Sequence, residues 1–124
     1  MTTCFDSNIL IYFVENNVDF GEYATELLIK AIDDEGAVFS VLALTELLSH
    51  RLTTAQHHKL ETFRKLVIFL PVTEVIATKA GQLRLAHASL RTPDALHLAT
   101  ALVHKASFQT HDKRLAKIAA LVKA

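Results

Sequence analysis

Four carboxylates in this chain, Asp6, Glu46, Asp94 and Asp112, sit where an alternating α/β domain could gather them into one site. Asp6 ends a short apolar segment and opens Ser7-Asn8-Ile9-Leu10-Ile11-Tyr12, while Glu46 interrupts the apolar stretch from Val38 to Leu48. Asp94 starts the small-residue segment Asp94-Ala95-Leu96-His97-Leu98-Ala99-Thr100-Ala101, and Asp112 closes Phe108-Gln109-Thr110-His111-Asp112. Acids drawn into one place repel unless cations hold them, so their convergence implies a divalent metal and hydrolytic chemistry. Ligation by carboxylate oxygen alone suits Mg²⁺ or Mn²⁺ rather than zinc, which favours Cys and His. Two such ions about 3.5–4 Å apart can clamp a phosphodiester, one activating water and the other neutralising the leaving oxygen.

Taken singly, three of the acids have a structural explanation. Asp6 suits the N-cap of a helix beginning at Ser7, and Asp94 and Asp112 fall in first helical turns, where acids complement the helix dipole. Glu46 has no such role. It lies mid-helix among Leu42, Leu44, Leu47 and Leu48, with no Lys or Arg three or four positions away and only His50 one turn later. A buried carboxylate needs a partner, and either a metal or a cation distant in sequence would provide it. Asn8, Thr110 and Ser7 are placed to hydrogen-bond the carboxylates or a bound water, although ordinary turn and cap chemistry accounts for them as well. His97 follows Asp94 by one turn on the same helix face. It reads as a core histidine or a support for the acids, with metal ligation and proton shuttling as the alternatives. Arg91, Lys113 and Arg114 flank the third and fourth acids; they could bind phosphates or be solvated surface charge.

The elements that must position these residues follow from periodicity and punctuation. Thr2 to Phe5 reads as a short strand, followed by a helix from Ser7 to Val14 that Asn16-Asn17 breaks. Tyr23, Leu27, Leu28, Ala31 and Ile32 keep helical spacing up to Asp33-Asp34-Glu35-Gly36. Ala37 to Ser40 is a second strand and Val41 to Leu52 a mostly buried helix. Thr53 to Leu66 is a polar amphipathic helix with His57, His58, Lys59, Arg64 and Lys65 on its wetter sides. Val67 to Val72 is a third strand, and a helix runs from Thr73 to about Ala88. Thr92-Pro93-Asp94 combines an N-cap, a proline at the first helical position and an acid in the first turn, starting a helix that reaches about Lys105. Ser107 to Thr110 is a fourth strand and Lys113 to Ala120 a final helix. Strands alternating with helices and lacking tight hairpins predict a parallel sheet covered on both faces. Such sheets bind ligands beyond the carboxyl ends of their strands, at the topological switch point. Asp6 and Asp112 both fall just past a strand's carboxyl end.

A length of 124 residues suits one domain spanning 1–124. With 51 % hydrophobic residues and few Gly and Pro, the chain is globular rather than disordered. No apolar run approaches the roughly 20 residues that span a bilayer. No basic segment precedes an apolar stretch and small-residue cleavage site, so a secretory leader is not expected. Cys4 is the only cysteine, which excludes an internal disulfide and fits a reducing cytoplasm and a packed, inert thiol. Net charge is zero but unevenly spread: residues 1–50 hold nine acids and one Lys, a balance of −8, and residues 51–124 hold twelve Lys or Arg and four acids, a balance of +8. Either the basic half faces a polyanion, because local field attracts phosphates, or the halves interleave in space and neutralise each other.

The segments Phe5-Asp6-Ser7-Asn8-Ile9-Leu10-Ile11-Tyr12, Thr45-Glu46-Leu47-Leu48, Arg91-Thr92-Pro93-Asp94-Ala95-Leu96-His97-Leu98-Ala99-Thr100-Ala101 and Thr110-His111-Asp112 together resemble a PIN domain. The chain's compact size is similar to that of the VapC-type toxins of bacterial toxin–antitoxin modules. The resemblance covers essentially the whole chain. It implies a three-layer α/β/α fold with a twisted parallel sheet of four to five strands in the order 3-2-1-4-5, with only Leu121-Val122 remaining where the fifth is expected. It also implies an Mg²⁺- or Mn²⁺-dependent endoribonuclease, a homodimer and a cognate antitoxin. The family's four acids fall on Asp6, Glu46, Asp94 and Asp112, its supporting hydroxyl on Thr110, and Asn8 matches the residue commonly found two positions after the first acid. The alternatives are a catalytically inactive PIN-like binding module and an α/β signalling module. The signalling module is disfavoured because Asp6 lacks an acidic neighbour and no phosphate-cradling glycine loop is present. A di-iron helical protein fits poorly, since that class repeats Glu-x-x-His on two helices.

Overall fold

The computed structural model describes residues 2–123. Four short parallel strands, β1 (Thr3–Phe5), β2 (Ala37–Ser40), β3 (Ile68–Leu70) and β4 (Ser107–Gln109), form one sheet in the order β3-β2-β1-β4. Seven helices connect and cover them: α1 (Ser7–Glu15), α2 (Gly21–Asp34), α3 (Leu42–Leu48), α4 (Thr54–Phe63), α5 (Glu74–Ala86), α6 (Thr92–Val103) and α7 (Lys113–Val122). The alternation expected from the sequence is present, and so is its parallel sheet.

Register sets the layers. Cys4 lies opposite Val38 and Phe5 opposite Phe39, so the period-two alternation of side chains sends the two pairs to opposite faces. Phe5, Phe39 and the partly buried Phe69 form a ladder with ring centroids 5.7 and 5.4 Å apart. Ile9, Leu10, Leu28, Leu47, Leu60 and Phe63 from α1 to α4 pack against it. On the other face Cys4 and Val38 meet Ala101 of α6. Beyond them Leu83, Leu90, Leu98 and Leu115 close a second core among α5, α6 and α7. All four residues of β2 are buried, as a strand covered on both faces requires. Each large side chain so buried contributes about 1.5–3 kcal/mol.

Several boundaries differ from the sequence reading. The mostly buried helix expected over Val41 to Leu52 is only α3, with Ala43 and Leu47 as its buried residues. It stops because α4 starts from its own capping box, where Thr53 and Gln56 each accept from the other's backbone N–H. Lys59 does not face water freely: its Nζ donates to the Phe13 carbonyl at 2.6 Å and lies 4.2 Å from the Phe13 ring centroid. Burial holds that amine below its ordinary pKa. The N-cap of α6 is Arg91 rather than Thr92, which places Asp94 at the third helical position. α7 continues through Leu121 and Val122, so among the described residues the fifth strand does not form. The acidic and basic halves interleave, since β4 pairs with β1 and β3 with β2. Among the described residues no helix is long and apolar enough to cross a membrane.

Candidate active site

The sequence turns outward from β1 into β2 and β3 on one side, then returns to place β4 on the other, so the switch point lies between β1 and β4. Asp6 stands at that crevice. Its backbone N–H continues the ladder by donating to the Gln109 carbonyl at 2.9 Å. Its side chain caps α1, accepting from the Ser7 N–H at 2.8 Å through Oδ1. Oδ2 accepts from Thr110 Oγ1 at 2.8 Å and from Asn8 Nδ2 at 3.4 Å, so one bond bridges the ends of β1 and β4. Asn8 also donates to Thr110 Oγ1 at 3.3 Å and accepts from the His111 N–H at 3.4 Å. Burial raises the Asp6 carboxyl above its ordinary pKa, with His97, Thr110 and the Ser7 amide opposing the rise and Glu46 adding to it.

Glu46 is less buried than its apolar neighbours suggest, its side chain being 33 % exposed. Its protein partner is distant in sequence. His97, 1 % exposed and on α6, places Nε2 2.5 Å from Glu46 Oε1 and 3.8 Å from Asp6 Oδ1. A carboxylate accepts only, so Nε2 carries the donated proton. Nδ1 of the same ring is buried and has no hydrogen-bond partner among the described residues. The Ser7 hydroxyl stands close enough to Glu46 to help lower its pKa. Burial pushes Glu46 up, but the hydrogen bond and charge of His97 outweigh it and leave the carboxyl below its ordinary range. His50, one turn after Glu46, pairs instead with Glu15 at 2.8 Å.

The other two acids form a second pair. Arg114 Nη2 lies 3.3 Å from Asp94 Oδ2 and 3.6 Å from Asp112 Oδ2, and Nη1 donates to the Ser89 carbonyl. Asp94 also accepts from the Arg91 backbone N–H at 3.2 Å and lies 3.4 Å from Arg91 Nε. Asp112 is the N-cap of α7 rather than a first-turn residue, accepting from the N–H groups of Arg114 and Leu115 at 2.9 and 3.2 Å. The Leu115 bond above all holds its carboxyl below the usual range. Its own N–H donates to Thr110 Oγ1 at 3.1 Å. A continuous path therefore runs Glu46–His97–Asp6–Thr110–Asp112–Arg114–Asp94. Lys113 is exposed and pairs with no acid among the described residues.

The structure thus joins all four acids with Ser7, Asn8, His97 and Thr110 at one end of the sheet. The sequence reading missed the bridging position of Arg114, because nothing in the spacing of Asp94 and Arg114 requires contact. It also missed four rings beside the site: His111 lies 4.3 Å from Phe20 and 5.6 Å from both Tyr12 and Tyr23, between ring centroids. The i,i+4 spacing of Asn8 and Tyr12 was the only local sign of it. Cys4, behind Asp6, is buried with its thiol pushed up to about 12 by burial and by the Asp6 charge, which makes it inert.

Among the described residues no three His, Cys, Asp or Glu side chains form a ready-made coordination set. Carboxylate oxygens are nonetheless the donors that a hard divalent cation takes, and here they stand in two pairs, Asp6 with Glu46 about His97 and Asp94 with Asp112 about Arg114.

The sequence matches the PIN domain family over residues 3–121. The chain is a PIN domain. Among solved structures, a toxin–antitoxin complex from Klebsiella pneumoniae is similar with a TM-score of 0.76 at 22 % identity, over 91 % of this chain and 88 % of that one. VapBC2 from Rickettsia felis, solved with a promoter DNA fragment, matches at 0.74 and 19 %, covering 94 % of this chain and 92 % of that one. FitAcB from Neisseria gonorrhoeae matches at 0.74 and 20 %, covering 96 % and 94 %. At these identities the likeness is one of fold. Among curated proteins, none matches the sequence.

Proposed function

We propose that this PIN domain is a divalent-metal-dependent endoribonuclease, its catalytic and metal-holding acids being Asp6, Glu46, Asp94 and Asp112, and that it serves as the toxin of a type II toxin–antitoxin pair. The observation that carries the proposal is the chain of hydrogen bonds, ion pairs and one 3.8 Å approach of His97 Nε2 to Asp6 Oδ1 that links the four acids at the carboxyl end of a parallel sheet. Support for the toxin role comes from the VapC-like motifs and from a fold neighbour described as a toxin–antitoxin complex. In this reading residues 1–124 form a single nuclease domain that works in the cytoplasm as a homodimer and is restrained by a cognate antitoxin.

Bound by the four carboxylates, Mg²⁺ or Mn²⁺ would activate water for in-line attack on phosphorus and neutralise the departing 3′ oxygen, leaving 5′-phosphate and 3′-hydroxyl ends. The chain's own residues prepare that site. Thr110 and Asn8 fix the orientation of Asp6, and His97 and Ser7 hold Glu46 toward it. Arg114 keeps Asp94 and Asp112 together, and the exposed Arg91 and Lys113 are available to phosphates of the RNA backbone.

Asp6→Asn and Asp94→Asn are expected to abolish Mg²⁺-dependent RNA cleavage while leaving the circular dichroism spectrum unchanged. Full cleavage by both purified variants would remove the assignment. The second reading, an inactive binding module, draws on the way His97 and Arg114 already engage the acids as hydrogen-bond and ion-pair partners. Cleavage that EDTA stops excludes it.

A further inference from the structure

Beside the acids, four rings from three parts of the chain meet around His111. Tyr12 belongs to α1, Phe20 and Tyr23 to the start of α2, and His111 to the turn between Thr110 and Asp112. Ring centroids stand 5.2 Å apart for Tyr12 and Phe20 and 4.3 Å for Phe20 and His111. His111 meets Tyr12 and Tyr23 edge-on. None of the four is buried, and Tyr23 is 40 % exposed. Neither tyrosine hydroxyl has a hydrogen-bond partner in the protein among the described residues. Local geometry holds the cluster in place: the αL residue Asn16 ends α1, Asn17 Oδ1 accepts from the Asp19 and Phe20 N–H groups at 2.9 Å, and Asn8 accepts from the His111 N–H.

We infer that this aromatic cluster is a base-stacking platform that takes an unpaired nucleobase of the RNA next to the scissile phosphate. The inference rests on the hydrolase reading above. The cluster is continuous with the acids through consecutive residues: Thr110 bonds Asp6, His111 carries the rings, and Asp112 pairs with Arg114. Aromatic faces offer every base a π surface, and single-stranded RNA is recognised by bases splayed onto Tyr, Phe and His. The exposed acids nearest in sequence, Asp19 and Glu22, disfavour a phosphate at this patch. The neutral base stacks on the rings, and the phosphates belong to the Arg91, Lys113 and Arg114 side of the site.

The test compares two dye-labelled hexamers, single-stranded oligoadenylate and the same sugar–phosphate backbone without bases, by fluorescence anisotropy in EDTA. The ratio of their affinities cancels the repulsion that both backbones meet at the acids. The wild-type chain is expected to prefer the base-bearing hexamer by roughly 5- to 100-fold. Tyr23→Leu, at an exposed position, is expected to lose most of that preference and Tyr23→Phe to keep it. A 4-thiouridine oligonucleotide is expected to cross-link within the Tyr12, Tyr23 or His111 peptides. Equal affinity for both hexamers, or a Tyr23→Leu variant with its preference intact, overturns the platform while metal-dependent cleavage by the wild type stands. A Tyr23→Leu variant that changes self-association alone assigns the patch to a protein contact and overturns the platform. A wild-type chain that neither binds nor cleaves RNA removes both proposals.

Discussion

Asp6 carries the sharpest conflict in the molecule. Its carboxylate caps α1 and accepts two further hydrogen bonds, yet burial raises its pKa because water is largely excluded and Glu46 stands near. A carboxyl whose folded pKa is raised lets the unfolded chain lose its proton first. Stability therefore falls as pH rises from the ordinary carboxylate value through the folded value of Asp6, and the loss is complete above it. Asp6→Asn removes this cost while its Oδ1 can still accept from the Ser7 N–H. At pH 7 without metal the variant is expected to melt at or above the wild type, by roughly 2–6 °C for about 1 kcal/mol. The gap should close as pH drops through that window; a gap that widens toward acid in thermal melts contradicts the account. Residue types alone placed Asp6 at the N-cap of α1, because a strand end followed by a capping acid is a local pattern. They could not identify Arg114 as the bridge between Asp94 and Asp112, because that contact depends on where α7 docks.

Among the elements, α3 and α6 have no sequence proximity and are tied at the site by one bond. α3 is a seven-residue helix with two buried side chains, and its Glu46 would otherwise be free to swing into water. His97, buried on α6, bonds that carboxylate across 51 positions of chain. His97→Leu keeps the volume and removes the donor; His97→Gln supplies an amide donor in its place. Supporting partners of metal-holding residues typically account for about 10–100-fold in metal affinity. Mn²⁺ titration followed by calorimetry is expected to show a loss of that order for the Leu variant and recovery toward wild type for Gln. Equal affinity in all three proteins would show that Glu46 is placed by α3 alone. The sequence called for a metal or a distant charged partner because Glu46 had no Lys or Arg nearby. Which residue answered it could not be read, since His97 looked equally suited to the core.

At the scale of the whole molecule, the four acids lie on four different loops or helices, and their separation can be maintained only by the packed sheet and its two helical layers. A divalent ion bound by the folded chain alone must stabilise it, by about 2.7 kcal/mol at a concentration 100 times Kd. Melts with millimolar Mn²⁺ are expected to shift upward for the wild type and to lose the shift in Asp94→Asn. A wild-type melt indifferent to Mn²⁺ would count against a competent site. By itself the sequence determined the alternation of strands and helices and the two covered faces of the sheet, because apolar periodicity, helix caps and proline positions are local consequences of covalent chemistry. Tertiary structure alone decided the pairing of Glu46 with His97, the bridge through Arg114, the absence of a fifth strand among the described residues and the meeting of Tyr12, Phe20 and Tyr23 around His111. Each of these joins residues whose separation along the chain carries no energetic signal until the layers close around them.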